Sequence, residues 1–255
     1  MKSTSVLAAA PLIVLGAAGP ALAADIVYPA ADLMAPPPIE ETFKVAHNEI
    51  LAIGNVGEGE SYFAMVSYRH SFKDPDNGLK VRFDAAYSTY NFEAISSTDG
   101  DEWRGRALAG YAHEVGAGAV VTFYGGAEYF DRNYTPDLIG SPDISQWGAF
   151  GSVELSADVA GGGNFFAGVE YSTNQESVYT GFHYLHPLHD GFLLGPTANY
   201  LHNDSYERWA AGAKAEFNVS DYSTFSLIGA YGQDSVNGAA FDDTWYVEAS
   251  HSIKF

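Results

Sequence analysis

Three sets of residues in this sequence have types and spacings that could do chemistry. His183, His186 and His189 lie in the run His-Tyr-Leu-His-Pro-Leu-His. Spacings of three gather side chains on one face of a helix, but on a strand they alternate between faces. Pro187 and His189 also fall where a turn is expected, so the run reads as interfacial and turn histidines rather than a metal site. Ser250 and His251 are adjacent, which on a strand sends them to opposite faces and prevents a direct nucleophile–base pair. No Gly-x-Ser-x-Gly, phosphate-loop or zinc-protease motif stands in the chain. The expectation is a protein that is not an enzyme and carries neither metal nor cofactor.

The third set is larger. Lys80, Arg82, Asp84, Glu128, Arg132, Glu154, Asp158, Glu170, Arg208, Lys214, Glu216 and Glu248 all occupy the polar rows of alternating segments. Tyr90, Tyr124, Phe130, Phe150 and Phe166 share those rows. Both signs of charge on facing segments favour a salt-bridged, mostly filled interior. The other reading is a polar path for a small solute or a sugar chain, because flat aromatic faces among hydrogen-bonding groups suit a neutral polysaccharide. On that reading the candidate ligand contacts are Arg82, Tyr90, Tyr124, Glu128, Phe150, Glu154, Glu170, Arg208, Lys214 and Glu216.

These residues need strands to hold them. In Thr244 to Phe255, Trp245, Val247, Ala249, His251, Ile253 and Phe255 form one face and Tyr246, Glu248, Ser250, Ser252 and Lys254 the other. A final strand ending on an aromatic ring is typical of outer-membrane barrels and would engage the barrel-assembly machinery through Phe255. The same alternation recurs upstream. Leu79, Val81, Phe83, Ala85 and Tyr87 oppose Lys80, Arg82 and Asp84. Trp147, Ala149, Gly151, Val153 and Leu155 oppose Gln146, Ser152 and Glu154. Trp209, Ala211, Ala213, Ala215 and Phe217 oppose Arg208, Lys214 and Glu216. The first segment, about Phe43 to Asn55, alternates poorly. The whole set predicts about twelve strands.

The connections alternate as well. Lys73 to Gly78, Glu114 to Gly118, Ala160 to Asn164, Pro187 to Gly191 and Val219 to Ser223 read as short turns, with Asp-Asn-Gly and Gly-Gly-Gly among them. Phe92 to Trp103, Tyr134 to Ile144 and Ser235 to Asp243 read as long loops. Short turns at one end and longer loops at the other are the outer-membrane asymmetry, with the short end periplasmic. Lipid offers no hydrogen bonds, so a spanning sheet must close on itself. The fold expected is all-β, a single closed antiparallel transmembrane barrel over residues 43–255. A soluble β-sandwich or lipocalin-like barrel also alternates, but its apolar row would point inward.

The N-terminal residues fit export. Lys2, the apolar run Val6 to Ala18 and Ala21-Leu22-Ala23 read as a signal peptide over 1–24 for Sec-type export. Residues 25–42, with Pro36-Pro37-Pro38, read as an extended periplasmic lead-in. The formal charge of −20 repels phosphate backbones, so nucleic acid is not an expected partner. Outer-membrane lipid is. The chain has no cysteine, which fits an oxidising periplasm but decides little.

Several strand stretches together are similar to the alphaproteobacterial cellulose biosynthesis protein BcsS family. They are Phe-Tyr-Gly-Gly-Ala-Glu-Tyr (Phe123 to Tyr129), Gly-Ala-Phe-Gly-Ser-Val-Glu (Gly148 to Glu154), Phe-Leu-Leu-Gly-Pro-Thr-Ala-Asn-Tyr (Phe192 to Tyr200) and Arg-Trp-Ala-Ala-Gly-Ala-Lys-Ala (Arg208 to Ala215). The resemblance covers about residues 45 to 255. It implies an outer-membrane accessory of cellulose production or export, with cellulose or the synthase complex as partners. It brings no active-site residue to any position of this chain.

Overall fold

The computed structural model describes residues 46–58, 61–93, 97–116, 118–135, 143–204, 206–236 and 242–255, with backbone alone for 91–93 and 97–98. The signal peptide expected over 1–24 and the lead-in expected over 25–42 lie outside the described residues. Twelve strands follow one another. β1 is Asn48–Gly57, β2 Ser61–Ser71, β3 Gly78–Glu93 and β4 Ser97–Gly116. Next come β5 Ala119–Thr135, β6 Ile144–Val159, β7 Gly163–Ser172 and β8 Ser177–His189. β9 Phe192–His202, β10 Tyr206–Ser220, β11 Ser223–Val236 and β12 Asp242–Lys254 complete the set. Each strand pairs antiparallel with its neighbours in sequence, and β12 returns to β1, so the sheet is a closed barrel.

The burial pattern is inside out. Val66, Phe83, Phe123, Val153 and Val169 are exposed, while Arg82, Asp84 and Glu128 on the opposite rows are buried. A soluble barrel would show the reverse, since it packs its apolar row inward. Here the apolar row faces outward, as a lipid-facing wall requires. All four tryptophans, Trp103, Trp147, Trp209 and Trp245, are exposed and lie towards the same end of the barrel, on the strands that follow the β3–β4, β5–β6, β9–β10 and β11–β12 connections. Tyr87 packs on Trp103 with ring centroids 4.6 Å apart, and Tyr129 on Trp147 at 5.2 Å. This is an interfacial aromatic girdle.

At the other end four connections are of two or three residues, and the β2–β3 connection, 72–77, is longer. Gly161 and Gly162, at φ +88° and +82°, turn β6 into β7 in a backbone region that disfavours a side chain. Both ends of the described barrel meet at this side, where the Asn48 N–H donates to the Phe255 carbonyl and the Phe255 N–H donates back, both at 2.9 Å.

Three expectations need correction. Phe92 to Trp103 is not a long loop: β3 runs to Glu93 and β4 starts at Ser97, with an unbroken register between them. Pro187 to His189 belong to β8 rather than to a turn, and the ladder absorbs the proline at an irregularity between Pro187 and His189. The first strand starts at Asn48, and its weak alternation has a cause. Leu51 and Ile53 face the lumen, paired with Ser67 and Met65 of β2, so both faces of β1 carry apolar groups.

Candidate functional site in the barrel lumen

Period two sends Arg82 and Asp84 of β3, Arg106 of β4, Glu128 of β5, Glu154 of β6 and Glu170 of β7 into the interior, where they meet. Arg82 Nε donates to Asp84 Oδ1 at 2.9 Å. One of its terminal nitrogens donates to Glu154 Oε1 at 3.0 Å, and the other lies 3.6 Å from Glu170. Arg106 Nε donates to Glu128 Oε2 at 2.6 Å and Arg106 also lies 3.6 Å from Glu170. Arg69 of β2 extends the lattice, 3.7 Å from Glu49 and 3.8 Å from Glu154. Since Arg82 and Glu154 are on strands that do not adjoin, these bonds cross the barrel rather than run along its wall.

The lattice is packed as well as paired. Glu128 is 0% exposed; besides Arg106 it accepts hydrogen bonds from the Ser172 hydroxyl and, at 3.0 Å, from the Asn174 side-chain amide. Asn174 begins the tight turn Asn174–Glu176 between β7 and β8, so that connection is anchored into the interior. Guanidinium planes cover the aromatic faces. Arg106 lies 4.0 Å from the centroid of Phe150, Arg82 5.8 Å from Tyr124 and Arg104 5.0 Å from Phe130. Leu108, Tyr124 and Phe150 form a buried apolar cluster beneath. Gly110, opposite Tyr124 in register, leaves the space that the ring fills; a Cβ there would stand 2.4 Å from the ring.

Towards the tryptophan end a second group gathers. Glu102 accepts from Arg104 at 3.0 Å and from the Tyr90 hydroxyl at 3.2 Å, with Arg132 3.9 Å away. Gln175 of the tight turn accepts from Arg104 at 3.3 Å.

The opposite wall is looser. Lys214 of β10 lies 3.3 Å from Glu216 and 3.4 Å from His183 Nε2, and His183 stacks on Phe166 at 5.3 Å. Arg208 lies over Tyr246 of β12 at 5.1 Å, and the Tyr246 hydroxyl accepts from the Asn199 side chain. Tyr179 of β8 pairs in register with Glu170 and with Leu201, so its ring faces inward, yet it is 39% exposed.

The ten candidate contacts therefore divide. Arg82, Tyr124, Glu128, Phe150, Glu154 and Glu170 belong to the cross-lumen lattice, Tyr90 to the Glu102 group, and Arg208, Lys214 and Glu216 to the looser wall. Sequence reasoning passed over Glu49, Arg69, Glu102, Arg104, Arg106 and Tyr179. Arg104 and Arg106 alternate with Trp103, Gly105 and Ala107, a signal that was readable; Glu102 was lost with the supposed loop.

The histidines do not converge. His183 faces the lumen, whereas His189 stacks on Phe192 at 5.2 Å and its Nδ1 lies 3.0 Å from the Asp190 carbonyl. Among the described residues no group of three or more His, Cys, Asp or Glu stands in position to hold a metal ion. Ser250 lies 2.6 Å from the hydroxyl of Ser226, and His251 Nε2 lies 2.8 Å from the hydroxyl of Ser223.

A closed twelve-strand antiparallel wall, apolar outside and ion-paired within, defines a transmembrane β-barrel of the outer-membrane type. An outer membrane channel from Pseudomonas putida F1 shares this fold, with a TM-score of 0.54 at 10% identity over 87% of this chain and 100% of that one. The NanC porin gives 0.49 at 11% identity over 81% and 100% of the two chains. The translocator domain of the autotransporter NalP from Neisseria meningitidis gives 0.49 at 11% over 84% and 90%. No curated protein matches the chain. Residues 61–255 match the model of the family described as cellulose biosynthesis protein BcsS, and the chain belongs to that family.

Proposed function

We propose that this protein is a non-enzymatic outer-membrane component of bacterial cellulose biosynthesis that handles or anchors the glucan as it reaches the cell surface. The observation that carries this reading is the family match, which spans all the strands from β2 onward. The lumen supports the non-enzymatic part. Its central carboxylates are each committed to guanidinium groups, so they brace the barrel rather than stand ready as acid, base or nucleophile. On this reading the partners are outer-membrane lipid, the barrel-assembly machinery during insertion of β12, and either cellulose or the synthase complex. Residues 1–24 serve as the export signal and 25–42 as a periplasmic lead-in.

A chromosomal deletion tests the proposal. Loss of extracellular cellulose, restored by the full chain and not by an unrelated barrel, is the expected outcome. Undiminished cellulose, together with stable conductance steps for small ions in a planar bilayer, would sink it in favour of a small-solute channel.

A further inference from the structure

The lumen is not filled evenly, and the unevenness locates a ligand path. Ser152, Glu170 and Tyr179 pair in register across β6, β7 and β8, so all three stand in one cross-strand row and face inward. Their exposure differs sharply. Ser152 is 5% exposed, under the Arg82–Arg106 lattice, whereas the side chain of Glu170 is 25% exposed and Tyr179 is 39% exposed. Crossing two strands thus passes from packed interior to accessible lumen. Beyond Tyr179 the facing wall is formed by Arg208, Tyr246 and Glu248, which lie within electrostatic reach of its hydroxyl.

We propose that the barrel holds one off-axis path, bounded by the lattice on the β3–β6 side and by β7–β12 on the other. In this path the Tyr179 ring is the platform on which a segment of uncharged glucan stacks. The ligand class follows from three features. The aromatic faces of Phe150 and Tyr124 are covered by Arg106 and Arg82, so they cannot take a sugar ring, whereas the inward Tyr179 ring is accessible. The groups around it carry both signs, Glu170 and Glu248 against Arg208, which suits a chain of hydroxyls and offers no surplus cation to a polyanion. Acidic residues also crowd the tryptophan-bearing end of the strands, where Asp234 faces Asp242 directly in register, and this repels anionic sugars before they enter. The choice of glucan rests on the proposed role in cellulose biosynthesis; the path itself does not.

The native chain has no cysteine, so single introduced thiols report accessibility without background. Tyr179→Cys and the near-isosteric Ser152→Cys would be refolded in detergent micelles, checked for heat-modifiable mobility, and treated with a trimethylammonium-ethyl methanethiosulfonate reagent. The thiol at 179 is expected to react about a hundredfold faster than the one at 152, as thiol reactivity follows access. Rates within about threefold of each other would overturn the off-axis path. Cellohexaose affinity is then measured by calorimetry on the wild type, Tyr179→Ala, Tyr179→Phe and Tyr124→Ala. The expected result is at least tenfold weaker binding for Tyr179→Ala alone, with Tyr179→Phe close to wild type because the ring, not the hydroxyl, carries the stacking. Equal binding by wild type and Tyr179→Ala would remove Tyr179 as the platform. A hundredfold thiol contrast with no cellohexaose binding would keep the path and overturn its ligand, while the role in cellulose biosynthesis stands or falls separately on the deletion.

Discussion

Arg82 and Glu154 join strands on opposite sides of β4 and β5, their side chains meeting at 3.0 Å inside the wall. With Asp84 and Glu170 on its other nitrogens, this one guanidinium ties β3 to β6 and β7. Barrels of about eight strands can be filled by single side chains, but a wider one needs pairs that span the gap. Long, planar, multiply donating arginine suits that task better than any apolar side chain.

Removing that guanidinium strands carboxylates in a water-poor interior. Arg82→Ala is expected to destabilise the refolded barrel by about 3–5 kcal/mol, the usual cost of breaking a buried pair from one side. Urea titration followed by loss of heat-modifiable mobility measures it. The double variant Arg82→Met with Glu154→Gln is expected to recover part of the loss, since it leaves fewer unpaired charges.

The glycines give a paired test that needs no electrostatics. A Cβ on Gly126 would lie 2.1 Å from the backbone carbonyl of Ala107, which cannot move without breaking the ladder, whereas one on Gly105 meets nothing within 4 Å. Gly126→Ala is therefore expected to cost about 1–3 kcal/mol or to block refolding. Gly105→Ala is expected to be neutral or to stabilise by about 0.5 kcal/mol through the restricted unfolded chain. Equal effects would mean that the β4 backbone does not approach Gly126 this closely.

Val153 tests the lipid-facing assignment. It sits in the middle of β6 between Phe123 and Val169 on its neighbours, all three exposed. Val153→Arg is expected to cost about 2–4 kcal/mol in liposomes, as a charge at the bilayer midplane does, and much less at a rim position. Unfolding titrations in short-chain phosphatidylcholine vesicles distinguish the two.

The tight turn Asn174–Glu176 should depend on the lattice for its order. Asn174 is buried and its side chain donates to Glu128, while Gln175 and Glu176 hold φ of 60° and 45° without being glycine. Asn174→Ala is expected to raise amide hydrogen exchange in 174–177 at least tenfold, a loss of about 1–3 kcal/mol of local stability. The exchange of β10 and β11 should not change.

Much of this architecture is legible at period two. The strand count, the apolar outer face and the inward placing of Arg82, Glu128, Glu154 and Lys214 all follow from alternation. It fails where lipid stops imposing it. In β3 beyond Tyr90 and β4 before Trp103 the sequence reads Asn-Phe-Glu and Ser-Thr-Asp-Gly-Asp-Glu, with no apolar alternation, so Phe92 to Trp103 imitates a loop although its ladder continues. Partner choice in the lumen was equally out of reach. Arg82 and Glu154 are 72 residues apart in sequence, and which facing charges meet depends on the stagger of the closed sheet rather than on any local pattern. The uneven filling was hidden for the same reason. Tyr179 and Tyr124 look alike in sequence, but only Tyr124 has a guanidinium against its face in the lattice.

All the arginines of this chain, Arg69, Arg82, Arg104, Arg106, Arg132 and Arg208, lie within the wall, paired or stacked. Viewed from a distance, they and their partner carboxylates nearly cancel. The far field of the molecule is then set by the carboxylates on its rims and turns, and most of the formal charge of −20 is displayed there. Within a screening length of the rims, about 8 Å at physiological salt, an approaching molecule meets a negative collar, while the paired cations lie deeper inside. An anionic polymer that reaches the rims is repelled there, and a polymer with no charge feels no such barrier.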